Sequence, residues 1–159
     1  MPEEPDKGIT MPDKETLECA EQDEREGKAP STQAGEFVKE EIEHIREGKH
    51  GARSAKQAIA IGLSKARRAG VKLPPPEKGK ASKETRKQAA RDLRKGQSSS
   101  KSKPSVKRSR ASSKALKREG RAAASKTALS RHASKAASKR SKAERSRSAK
   151  KAARTRAKS

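Results

Sequence analysis

Ser54-Ala-Lys-Gln-Ala-Ile-Ala-Ile-Gly-Leu-Ser-Lys-Ala-Arg-Arg-Ala-Gly70 is the stretch whose spacing decides the fold. Ser54 and Gln57 read as an S-x-x-Q capping box, and Gly70 stands where a left-handed C-terminal residue belongs, with Val71 placed for the apolar contact that accompanies it. At 100° per residue, Ala55, Ala58, Ile59, Gly62, Leu63, Ala66 and Ala69 share one face about 140° wide, and Lys56, Gln57, Ser64, Arg67 and Arg68 occupy the other. Ile61 falls outside that face, which suits either a second contact surface or a loosely packed helix. The small residues of the apolar face allow another helix to come close.

The nearest complementary surface lies just upstream. Ser31 or Thr32 can cap a helix in which Val38, Ile42 and Ile45 recur at i, i+4 and i+7 with Phe37 beside them, and Gly48 offers a left-handed stop. Glu36, Glu40, Glu41 and Glu43 are assigned to its outer and N-terminal faces, where acids suit the helix dipole, and His44 to its surface. Residues 35–73 are therefore expected to form a helical hairpin hub.

Outward from the hub the signals weaken. Residues 1–34 read as an acidic disordered head, punctuated by Pro and Gly, in which Leu17, Cys19 and Ala20 make too thin a stripe to hold a helix alone. Residues 74–96 combine a Pro-rich spacer with a short helix over Lys83 to Lys95, capped by Ser82, closed by Gly96 and with little to bury. Residues 97–159 form a basic tail of 63 residues with 22 Lys or Arg, 16 Ser and 14 Ala. It carries conditional helix starts at Ser125 and at the Ser141/Glu144 capping box, and a helix over Lys107 to Arg118 that ends against Gly120. The expected fold class is a mostly disordered chain with α-helical segments, a central helical hairpin and no β-sheet. Low hydropathy, with 28% hydrophobic residues and the single aromatic Phe37, supports that expectation.

Charge points to a partner class. The chain of 159 residues has a formal net charge of +23. Met1 to Gly48 carries 6 basic and 15 acidic residues, whereas Lys49 to Ser159 carries 37 basic and 5 acidic. A segment so cationic is expected to bind a polyanion, and cellular polyanions are chiefly nucleic acids. Candidate phosphate contacts are Arg53, Lys56, Lys65, Arg67 and Arg68 at the hub. In the tail they are Lys107, Arg108, Arg110, Lys114, Lys117, Arg118, Arg121, Lys126, Arg131, Lys135, Lys139, Arg140, Lys150, Lys151, Arg154 and Arg156. The lack of aromatic residues after Phe37 removes the stacking platforms of single-strand and RNA-sheet binders, so sequence-neutral duplex DNA is favoured over RNA. The acidic head either folds back on the cations as a DNA mimic or solubilises the chain.

Several classes are disfavoured. There is no G-x-S-x-G, P-loop or dinucleotide fingerprint, so no enzyme activity, cofactor or small-molecule substrate is expected. His44, His50 and His132 lack metal-ligand spacing with one another or with Cys19, so no metal is expected either. No apolar run is long enough for a membrane span and the first residues lack a secretory signal, which predicts a cytoplasmic, nucleoid-associated protein. The oligomeric state stays open, since the same apolar faces can close within or between chains.

Two resemblances bear on this reading. Lys49 to Pro74 resembles a family of small, uncharacterised bacterial basic proteins built around a KQAIAIxLSxARRAG segment, which implies a bacterial source and brings no activity. The tail, with Ala149-Lys-Lys-Ala-Ala153 and its Ser/Ala/Lys/Arg monotony, is similar to the C-terminal tails of bacterial histone-H1-like nucleoid proteins, which implies DNA binding by charge neutralisation. An RNA- or ribosome-associated basic protein and a stress-protective disordered hydrophilic protein are the alternatives.

Overall fold

A computed structural model describes residues 11–99 and 105–158. Residues 1–10 of the head and 100–104 of the tail lie outside the described residues. Among the described residues seven α-helices follow one another: α1 (Lys14–Arg25), α2 (Pro30–Arg46), α3 (Ala55–Ala69), α4 (Lys83–Gln97), α5 (Val106–Lys117), α6 (Lys126–Ser138) and α7 (Lys142–Ala157). A 3-10 turn at Ala122–Ala124 precedes α6. Among the described residues the only β pairing is an isolated bridge between Lys78 and Ala81.

The α2–α3 hairpin is the centre of the molecule, and its ends follow the sequence signals. Ser54 Oγ accepts from the Gln57 amide at 3.2 Å, although the Gln57 side chain takes the Arg53 N–H at 2.6 Å rather than that of Ser54. Gly70 adopts φ +113°, and the Val71 amide reaches back to the Ala66 carbonyl at 3.1 Å while Val71 itself is buried. Gly48, at φ +78°, closes α2 in the same manner, with the Lys49 amide on the His44 carbonyl at 3.0 Å. The start of α2 departs from expectation. Pro30 is its first residue and Ala29 precedes it, so neither Ser31 nor Thr32 caps it. A fixed φ at Pro30 orders the first turn instead.

The two helices meet where the sequence is smallest. A Cβ built on Gly62 would lie 2.7 Å from Val38 Cα and 2.9 Å from its backbone nitrogen, so glycine is what lets the axes close. Gly35, in α2, has nothing within 4 Å of the same position. Replacing Gly by Ala in a helix normally gains about 1 kcal/mol. Gly35→Ala is therefore expected to stabilise the chain by about that amount. Gly62→Ala should instead cost about 1–2 kcal/mol net, because overpacking against backbone outweighs the same gain. Urea unfolding of the two variants checks the opposite signs, and a stabilised Gly62→Ala would show that α2 and α3 are not held this closely.

The expectation of a mostly disordered chain is overturned, because segments too weak alone find a face to dock on. Leu17 and Ala20 of α1 pack with Ala34, Phe37, Ala66 and Val71, so the head is helical from Lys14. Ala123 and Ala124 fill the second apolar cluster beside Ile45, Ala52 and Ala58. The tail is thereby anchored to the hub: the Gly51 amide donates to the Leu116 carbonyl at 2.9 Å and the Ala52 amide to the Gly120 carbonyl at 3.1 Å. Gly51 has no room for a side chain, since its Cβ would run into the Glu119 carbonyl. Helix α4 lies on α3 through buried Ala89 and Asp92, and Gly96, expected to close that helix, is instead part of it and abuts the Arg67 carbonyl. Capped helices continue to the end of the described tail. Ser125 accepts from the Ala128 amide at 3.1 Å, and Ser141 and Glu144 form a reciprocal capping box.

Candidate functional site

Among the described candidate cations all but two are exposed. Arg53, Lys56, Arg68 and every candidate from Lys107 to Arg156 are exposed, whereas Lys65 and Arg67 are 1% and 6% exposed. Burial removes those two from the set that can meet a phosphate in solvent. Arg67 donates from Nε to the Leu73 carbonyl at 3.1 Å and from Nη2 to the Pro74 carbonyl at 3.2 Å, so it pins the Pro-rich strand against α3. Burial also holds its guanidinium below the ordinary Arg pKa, against the opposing charge of Asp92.

Some exposed candidates also have internal duties. Arg121 Nη1 reaches the Arg46 carbonyl at 3.5 Å, and Arg46 Nε donates to the Ala124 carbonyl at 2.9 Å, a reciprocal tie between α2 and the tail. Arg53, Lys56 and Arg131, with His132, line a shallow groove of about 370 Å³ between the start of α3 and α6. Three cations and a helix N-terminus on one groove create a positive field that suits an anion. None of α5, α6 and α7 has a buried residue. Helix α7 presents Lys142, Arg145, Arg147, Lys150, Lys151, Arg154 and Arg156 around its whole circumference.

A second constellation lies inside the hub, where sequence reasoning placed surface residues. Glu40, Glu41 and His44 of α2 are 4%, 0% and 2% exposed, not outward-facing. The buried face of α2 runs through Ala34, Phe37, Glu41, His44 and Ile45, one step round from the Val38/Ile42 stripe, which is only half-buried. Lys65 of α3 enters this face. Its ammonium contacts Glu41 Oε1 and lies 3.3 Å from Glu40 Oε1. His50, from the turn after α2, donates from Nδ1 to the Gly51 carbonyl at 3.0 Å and sets Nε2 3.2 Å from Glu41 Oε2. His44 Nε2 meets the Asp13 carboxylate at 3.1 Å, and the Asp13 amide donates to Glu40 Oε2, also at 3.1 Å.

These charges shift one another. Burial opposes ionisation of Glu41, yet the neighbouring His50 and Lys65 outweigh it and hold its carboxyl below the ordinary range. Burial likewise opposes protonation of His50, but Glu41 and the Gly51 carbonyl raise its pKa above the ordinary imidazole value. Glu41 and His50 thus each favour the other's charged form at the heart of the hairpin. A signal for this cluster does exist in the sequence: Glu41 and His44 are at i, i+3 and so share a helical face.

Residues 31–78, which hold both helices of the hairpin and every member of this cluster except Asp13, match a family of unknown function (DUF6496). No curated protein and no solved structure matches the chain.

Proposed function

We propose that the protein is a non-enzymatic, sequence-neutral nucleic-acid-binding protein that neutralises phosphates of duplex DNA, as a nucleoid-associated component. The observation that carries this reading is α5 to α7, three capped or docked helices rich in exposed Lys and Arg with no buried residue between them. Helix α7 has no buried side, so packing within the chain does not account for its cations. On α7 the cations have one acidic neighbour, Glu144, which the capping box occupies. Displacement of condensed counterions from DNA is the favourable process such helices can drive. The groove at Arg53, Lys56 and Arg131 would extend the phosphate track onto the hub. A stress-protective role as a disordered hydrophilic chain loses its premise, because the described residues are folded.

Fluorescence anisotropy with a labelled DNA duplex tests this. Binding is expected to be tight at 50 mM salt and to weaken steeply as salt rises, with little dependence on base sequence. Structured RNA added as competitor at about 0.15 M salt is expected to displace the duplex poorly. Equal competition would move the reading to an RNA- or ribosome-associated protein, and absence of binding at 50 mM salt would overturn it.

A further inference from the structure

The geometry points to a divalent transition-metal site, best suited to zinc, formed by Glu41, His44 and His50 inside the α2–α3 hairpin. Their side chains are 0%, 3% and 0% exposed, and one ligand atom from each lies within 4.8 Å of the others. Tetrahedral zinc, with bonds of about 2.0–2.2 Å, requires these atoms to draw closer on binding.

The ring orientations favour a metal over a simple salt bridge. A ligating His typically donates its outer N–H to a carboxylate or backbone carbonyl, which fixes the tautomer and turns the other nitrogen inward. Both rings follow this pattern. His44 directs Nε2 to Asp13 at 3.1 Å, and His50 directs Nδ1 to the Gly51 carbonyl at 3.0 Å. Of the inward atoms, His50 Nε2 lies 3.2 Å from Glu41 Oε2, whose companion oxygen meets Lys65, whereas His44 Nδ1 is 3.9 Å from Glu40 Oε1 and has no hydrogen-bond partner. A buried ring nitrogen left this way is costly unless something binds it.

Charge and donor chemistry agree. Asp13, Glu40 and Glu41 are three carboxylates, faced by the ammonium of Lys65 inside the hub and by that of Lys49 near its edge. With neutral imidazoles, as ligation requires, the residues that would meet a divalent cation are net negative before it binds. Two imidazoles and a carboxylate suit zinc rather than magnesium or calcium, which take oxygen ligands. Lys65 does not block the site. When metal takes Glu41, its ammonium keeps Glu40, already 3.3 Å away. The site does not use the exposed cations and is independent of nucleic-acid binding.

Zinc titration of the full chain, stripped with chelator and followed by competition with a chromophoric chelator, tests the assignment. One equivalent is expected to bind with submicromolar affinity, and the zinc absorption edge is expected to show nitrogen and oxygen donors without sulfur. His50→Gln should weaken binding at least a hundredfold. Should that variant misfold, Asp13→Asn provides the second reading. Asp13 is half-exposed, and losing its support of His44 should cost about 10–100-fold in affinity. Affinity weaker than about millimolar, sulfur from Cys19 in the edge, or binding unchanged in both variants would overturn the site and leave a purely internal ion cluster.

Discussion

Replacing Lys65 by Met is expected to lower the stability of the folded chain by about 3–5 kcal/mol, the cost of removing one partner from a buried charge cluster. The ammonium has a fully buried side chain between Glu40 and Glu41, themselves 4% and 0% exposed. Met fills a similar volume, so the loss measures electrostatics rather than a cavity. For a chain of this length the melting temperature should fall by roughly 10 °C. Thermal unfolding in the presence of chelator checks it, since metal could replace the missing cation. Adding Glu41→Gln to Lys65→Met should recover part of the loss, because the second substitution removes the carboxylate that the first left uncompensated. A melting temperature within about 2 °C of the parent would mean that Lys65 is not held between the two carboxylates.

Neutralising Lys150, Lys151, Arg154 and Arg156 to Gln should weaken duplex DNA binding on the order of 10²–10³ at 0.1 M salt. Each lost phosphate contact removes about 0.9 from the log–log salt slope, so the slope should become shallower by up to about 3.6. All four side chains are exposed on α7, a helix with no buried residue, so the fold should be unaffected. The circular dichroism spectrum and melting temperature of the variant provide the control. A slope unchanged within about 0.5 would remove α7 from the interface. The same substitutions leave Arg53, Lys56 and Arg131 intact, so any binding that remains reports on the groove beside α3.

The hairpin was legible because its signals are local. Ser54, Gly70, Val71 and Gly48 each act within a few residues, and Gly62 among alanines announces a close helix approach. The docking of the flanks was not legible, because it depends on surfaces that exist only after the hub folds. Leu17 and Ala20 are a thin stripe by themselves and a sufficient one against Phe37. Ala123 and Ala124 read as tail composition until Ile45 and Ala52 are beside them. The buried cluster was hidden for a different reason. Glu40, Glu41 and Lys65 are residue types normally assigned to solvent, and their mutual compensation joins positions 25 residues apart. Sequence spacing gave His44 and His50 no metal-ligand pattern, and the turn at Gly48 brings the two together. The cationic surface needed no fold to be seen, except at Lys65 and Arg67, where burial converts expected phosphate contacts into struts of the hub.

Because Ala123 and Ala124 complete the cluster around Ile45 and Ala58, this half of the hub depends on residues synthesised long after it. At ordinary translation rates of about 5–20 residues per second, the ribosome needs on the order of 3–13 s to move from Ala58 to Ala124. During that interval the apolar patch on α2 and α3 stays uncovered while the cationic segments emerge behind it. Order of synthesis and order of packing are therefore opposed in this chain, and the second cluster closes only when the 3-10 turn arrives.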